Sequence, residues 1–290
     1  MSCPECFSGH INPSTPTGHV ATLHGLDVYV AGPPENTTER KGIVVIIPDA
    51  FGWEFVNNRI LADHYAQRGG FLVLLPDFMK GTAAPLYMLD SLHAVMKTGT
   101  LWDWVVKPYY IFSMLSGFVP FILRHRPGKS YPIVESFFSA LRQSEGPSTP
   151  IGAAGFCWGG KHTVLLAHGA STTIDSGSGS RSTPLINAGF TGHPSFLQVP
   201  GDIEKLVIPV SFALGDLDNV LKAESIPAVR RVVEAKEDEV GGGEVKVYPG
   251  AGHGFCVRAD ATNDEASARR AAEAEEQAIS FFQRIFAKVK

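Results

Sequence analysis

The sequence is poor in cysteine, in clustered charge of either sign and in long apolar runs, and each shortage excludes a class of function. Four cysteines in 290 residues, Cys3, Cys6, Cys157 and Cys256, are too few and too unevenly spaced for a disulfide framework. The first residues lack the basic start and apolar core of a secretory signal, so a reducing, cytoplasmic setting is expected. Cys3 and Cys6 form a C-x-x-C, half of a zinc site, but no second pair follows to complete a tetrahedron; no metal or other cofactor is expected. Lys and Arg number 25 against 29 Asp and Glu, a formal net charge of −4, with no basic patch to neutralise phosphates. Nucleic acid is therefore not an expected partner. The segment "YYIFSMLSGFVPFIL" (109–123) is 15 residues without a charge. As a helix it rises only about 22 Å, short of the roughly 30 Å of a bilayer core, and Gly117 and Pro120 interrupt it. It reads as part of a helical insertion packed over the domain or lining a pocket, and no membrane partner is expected.

What is present is the material of one sizeable α/β domain over residues 1–290: 44% hydrophobic residues, 30 glycines and 20 prolines. "GIVVIIP" (42–48) and "FLVLLP" (71–76) are apolar runs rich in β-branched residues, as in strands covered on both faces. Between them "NNRILADHYAQRGG" (57–70) has helical spacing and closes on glycines. The alternation continues with a helix at 132–143, a strand at 150–156, a helix at 161–169, strands at 184–190 and 208–215, a helix at 222–237 and a strand at 243–250. This predicts a mostly parallel central sheet with helices on both faces. From Asp264 onward Ile279, Phe282, Ile285 and Phe286 share one stripe of a closing amphipathic helix. "STTIDSGSGSRST" (171–183) is too polar to bury a core and reads as a flexible surface loop. The insertion at 81–130, a helical cap, carries Trp102, Trp104, Tyr109 and Tyr110, apolar surface enough to shape a substrate pocket.

"GFCWGG" (155–160) carries the chemistry. Gly155-Phe156-Cys157-Trp158-Gly159 has the G-x-nucleophile-x-G spacing of a strand-to-helix elbow, with sulfur in place of oxygen. Small residues are needed around such a turn, and the adjoining helix start lowers a thiol pKa. A base and an acid should follow in the order nucleophile, acid, histidine. "GDLDNV" after one strand offers Asp218, with Asp216 in reserve, and "GAGHGF" after the last strand offers His253. His64, His162 and His168 fall on predicted helices and read as structural. An oxyanion hole should come from the N–H of Trp158 and, by position after an early strand, that of Ala50 in "PDAFGW".

With "GFCWGG", the G-x-x-D ending at Asp218 and "HGFCVR" (253–258), the sequence resembles the dienelactone hydrolase family, cysteine-nucleophile members of the α/β-hydrolase fold. The likeness runs from about residue 25 to the C-terminus, and "IIPDAFGWEFVNNRILADHYAQRGGFLVLLPDF" (46–78) looks like its fungal branch. The resemblance implies Cys157 as nucleophile, His253 as base and Asp218 as acid. It places Asp49 where bacterial members carry a glutamate that pairs with the thiol and helps it ionise. Arg258 is similar to the arginine that binds the substrate carboxylate. A second substrate arginine, expected after "LLPDF", has no counterpart. That departure and the aromatic insertion suit a larger, more apolar ester or lactone, such as a polyketide-derived metabolite. A cofactor-independent hydrolase, monomeric or homodimeric, is the leading expectation. A same-site isomerase, lyase or cyclase, and a non-catalytic ligand-binding or thiol-redox protein, are the alternatives.

Overall fold

A computed structural model describes residues 10–33, 40–96, 101–176, 179–260 and 264–289. Cys3 and Cys6 lie outside the described residues. The chain opens with a hairpin, β1 (His19–Leu23) and β2 (Leu26–Ala31), then β3 (Ile43–Ile47), α1 (Val56–Gly69) and β4 (Leu72–Pro76). Helices α2 (Tyr87–Met96), α3 (Leu101–Arg124) and α4 (Pro127–Glu145) precede β5 (Ile151–Phe156) and α5 (Trp158–Leu166). Then come β6 (Ser171–Ser176), β7 (Gly179–Pro184), β8 (Ala188–Gly192), α6 (Gly201–Glu204), β9 (Val210–Gly215), α7 (Ile226–Ala235), α8 (Glu237–Val240), β10 (Glu244–Tyr248) and α9 (Glu265–Phe286). Eight strands form one sheet in the order β1-β2-β4-β3-β5-β8-β9-β10. It is parallel from β4 to β10 and antiparallel where the opening hairpin joins β4.

The all-apolar run of β3 follows from its central place. Ile43, Val45 and Ile47 face one layer with Phe137, Phe138 and Leu141 of α4, while Val44 and Ile46 face the other with Tyr65 of α1 and Phe282 of α9. Beside it β5 is made of small residues because helices press close: a Cβ on Gly152 would meet the Phe282 ring at 2.5 Å. The closing helix starts where Asp264 accepts a hydrogen bond from the Ser267 N–H at 3.0 Å, and its stripe of Ile279, Phe282, Ile285 and Phe286 is buried. Each such ring or branched chain contributes about 1.5–3 kcal/mol by leaving water.

Three readings of the sequence change. The opening hairpin went unread because His24-Gly25 is its two-residue turn; both have positive φ (51° and 80°), where Asn or Asp before Gly is the usual signal. Residues 171–183, expected as a loop, belong to a two-stranded antiparallel hairpin, β6 with β7. Backbone pairing needs no apolar side chain, and Ser139 and Gln143 of α4 tie Thr172 to the body of the protein through hydrogen bonds of 3.0 and 2.9 Å. The third concerns α3. It runs for 24 residues through Gly117, Pro108 and Pro120. Both prolines face solvent, where water can satisfy the carbonyls they release. By length and composition it is the one helix among the described residues able to cross a membrane. The aromatic side chains expected to pack or line a pocket, Trp102, Trp104 and Tyr109, instead point into solvent.

Candidate active site

The site forms where the sheet order reverses. From β3 the chain crosses to β4 on one side and later to β5 on the other, which leaves a crevice at the carboxyl ends of β3 and β5. Asp49 and Ala50 follow β3, and Cys157 follows β5.

Cys157 takes φ 50° and ψ −111°, a conformation that turns its side chain out between strand and helix. The surrounding glycines are steric necessities. A Cβ on Gly155 would collide with the Gly159 carbonyl, one on Gly159 with the Ile47 carbonyl, and one on Gly160 with Thr191 Oγ1. Helix α5 starts at Trp158, three residues earlier than its periodicity predicts, so its first turn lies directly behind the sulfur. The Trp158 N–H opens α5 and the Ala50 N–H lies in the turn after β3, both at the carboxyl ends of the sheet. The Trp158 indole N–H donates to the His125 carbonyl at 2.7 Å, which fixes the ring below the elbow.

His253 stands in the glycine-bearing turn after β10, 5% exposed, and close enough to Cys157 that its charge favours the thiolate. Its Nδ1 meets both Asp218 oxygens, at 3.0 and 3.1 Å. Asp218 Oδ1 also accepts from the N–H groups of Val220 and Leu221 at 2.7 and 3.3 Å, so the acid is held by its own turn. Asp216 is occupied elsewhere, accepting from the Gly250 N–H at 2.6 Å. The structure thus brings Cys157, His253 and Asp218 into one chain and leaves Asp216 as a brace for the histidine loop.

Electrostatics favour an ion pair. Burial opposes a thiolate, but the neighbouring His253 outweighs it, Arg258 adds to that effect, and the thiol is held below its usual value. For His253, burial opposes the cation while Cys157 and Asp218 favour it, and the imidazole is pushed up to about 9. Each group thus favours the charged form of the other.

Asp49, which the resemblance placed against the thiol, is turned away from it. Fully buried, it ion-pairs with Arg258 and accepts from Asn58 Nδ2 at 3.1 Å and the Phe51 N–H at 3.2 Å. Its charge reaches the sulfur only through space, and there it raises the thiol. A side chain one methylene shorter than glutamate ends at the arginine. Arg258 is likewise buried, its guanidinium 5.4 Å from the Phe51 ring centroid.

Two residues were missed from the sequence, both in "GHPSF" after β8. Ser195 Oγ lies 3.4 Å from Cys157 Sγ and 3.4 Å from His253 Nε2, a hydroxyl touching both reactive groups. His193 is fully buried, its ring set edge-on to His253 with centroids 5.1 Å apart, and neither ring nitrogen has a partner among the described residues. Burial, with His253 and Arg258 nearby, pushes it well below the usual histidine value, so it is a neutral wall. The strand was predicted at 184–190 but lies at Ala188–Gly192. That shift hid the fact that these residues emerge beside the elbow.

Residues 26–286 match the dienelactone hydrolase family. The hydrolase tropI of Talaromyces stipitatus is 30% identical over 261 residues, covering 90% of this chain and 87% of the relative. A dienlactone hydrolase of Gibberella moniliformis is 25% identical over 260 residues, 89% of this chain and 84% of the other. Among solved structures, a thermophilic esterase of Thermogutta terrifontis with propionate bound superposes with a TM-score of 0.56 at 14% identity, covering 93% of this chain and 96% of that one.

Proposed function

The chain belongs to the dienelactone hydrolase family and is an ester or lactone hydrolase; from that premise we propose that it acts through a Cys157–His253–Asp218 triad on an apolar, activated ester or lactone. The observation that carries the reading is the connected set of contacts from the Cys157 sulfur through Ser195 Oγ to His253 Nε2, and from His253 Nδ1 to both oxygens of Asp218. The Cys157 thiolate attacks the acyl carbon, and the carbonyl oxygen takes up the negative charge beside the Ala50 and Trp158 amides. As the tetrahedral intermediate collapses, the C–O bond breaks, and His253 gives its proton to the departing alkoxide or enolate. A thioester on Cys157 remains. His253, now neutral, takes a proton from water; the hydroxyl adds to the thioester, and the acid leaves as the thiolate and imidazolium re-form. Asp218 holds His253 with Nδ1 protonated, and Ser195 steadies the sulfur and imidazole together.

An enol leaving group suits sulfur, because a stable leaving anion departs before the thiolate does. The preference for an apolar substrate rests on Arg258, which is already neutralised by Asp49 and would have to leave that carboxylate to bind an anionic substrate.

The test is turnover of a chromogenic aryl ester with intact-mass detection of the acyl-enzyme. Wild type should show a transient adduct on Cys157, and Cys157→Ala should show neither adduct nor turnover. Undiminished turnover by Cys157→Ala would sink the mechanism. Product mass excludes isomerisation if water has been added.

A further inference from the structure

We propose that α3 lies in the plane of an anionic membrane surface, so that the enzyme takes its apolar ester or lactone from the lipid phase; the surface is independent of the triad, while the substrate source rests on the function proposed above. Single exposed apolar side chains are ordinary on a protein surface, but here they are gathered on one helix. Trp102 is 70% exposed, Trp104 62%, Tyr109 69% and Phe112 72%, and the apolar face continues past them to Leu123. The opposite side of α3 is used by the protein: Ser113 meets Ser91 of α2 at 3.0 Å, Gly117 packs against Met88, and Phe121 is buried in the core.

Charge indicates what covers the outer face. Asp103 in the first turn of α3 is followed by no further acidic residue until Glu135, while the same stretch carries Lys107, Arg124, Arg126 and Lys129, in a chain whose net charge is −4. Anionic headgroups attract such a segment, in which cations outnumber the single acid. The Lys107 ammonium lies 4.1 Å from the Trp104 ring centroid, a pairing suited to the headgroup level, where an aromatic body sits in lipid and its cation in water. A self-dimer through this face would press the same cations together. A transmembrane passage is excluded by connectivity, because α2 before the helix and α4 after it both bury side chains, Met88 and Leu89, Phe137 and Phe138, in the same globular body. A helix so tethered at both ends can lie in the interface but cannot cross alone. Its far end adjoins the elbow, since the His125 carbonyl just beyond Arg124 accepts the indole N–H of Trp158.

The test is co-sedimentation of the full chain with vesicles of phosphatidylcholine alone and of equimolar phosphatidylcholine and phosphatidylserine, with tryptophan emission recorded on the same samples. Binding to the anionic vesicles, weaker binding to the neutral ones and a blue-shifted emission are expected. The exposed-site variants Trp104→Ser/Phe112→Ser and Arg124→Glu/Arg126→Glu should each lower the bound fraction about tenfold while keeping wild-type turnover of a water-soluble ester. Wild type remaining in the supernatant with both vesicle types would overturn the inference. So would a stable dimer that Trp104→Ser/Phe112→Ser dissociates. Turnover of the soluble ester without vesicle binding refutes the membrane surface alone. Vesicle binding without turnover supports the surface and refutes the hydrolytic reading of the site.

Discussion

Replacing Arg258 by Met removes the cation that, among the described residues, pairs with Asp49, a carboxylate with no solvent exposure. What remains around Asp49 among the described residues is the Asn58 amide and the Phe51 N–H, two hydrogen bonds and no counter-charge. Leaving one member of a buried pair unmatched costs about 3–5 kcal/mol. At about 2.1 cal/mol/K of unfolding entropy per residue, 290 residues give about 0.6 kcal/mol per kelvin, so the melting temperature should fall by about 5–8 °C. Adding Asp49→Asn removes the stranded charge while its amide oxygen still accepts from Asn58 and Phe51, and the double variant should regain most of the loss. The thiol supplies a second readout. Arg258 lowers the Cys157 pKa and Asp49 raises it, so Arg258→Met should move the iodoacetamide rate profile to higher pH and the double variant should move it back. Calorimetry and alkylation kinetics on the four proteins of the cycle provide the check. A single variant melting within about 1 °C of wild type, against the 5–8 °C expected, or a double variant no better than Arg258→Met, would refute the view of Asp49 and Arg258 as a self-contained pair.

The remaining predictions concern the elbow and its neighbours. Alkylation of Cys157 should rise with pH through a midpoint below the usual thiol value, and turnover should fall again through about pH 9 as His253 loses the proton it gives the leaving group. Because the folded His253 value lies above its usual 6.5, its contribution to stability is complete below pH 6.5 and lost as pH rises through about 9, which melts across that window would register. Ser195→Ala removes a hydroxyl from a charged pair, a contact worth about 1.5–3 kcal/mol, so kcat should fall about tenfold to a hundredfold and the alkylation midpoint should rise, with KM little changed. An unshifted alkylation profile would remove Ser195 from the site. Gly159→Ala drives a methyl into the Ile47 carbonyl and should yield little soluble protein; a well-folded variant of native melting temperature would contradict the tight packing of the elbow.

Local rules made much of the fold legible. Apolar runs located the central strands, helical periodicity located α1, α4 and α9, and steric reasoning about "GFCWGG" anticipated the glycine contacts at Cys157. Where a weak local signal carried a real element, as in the His24-Gly25 turn or the polar hairpin β6 with β7, the reading failed, because backbone pairing and contacts to distant helices stabilise those segments. The apolar segment at 109–123 failed in the opposite way. Its composition called for burial, yet nothing in periodicity alone says whether protein covers a helix face.

The sequence by itself determined the strand-to-helix elbow at Cys157, the turns that carry Asp218 and His253 after their strands, and the alternation that builds a parallel sheet, because each depends on residues close together in the chain. Only the tertiary structure decided that Asp49 belongs to Arg258 across 209 positions rather than to the sulfur, that Ser195 stands between thiol and imidazole, and that α3 keeps its aromatic face in solvent. Those outcomes depend on where strand ends converge and how far a side chain reaches, and both are set by the packed sheet.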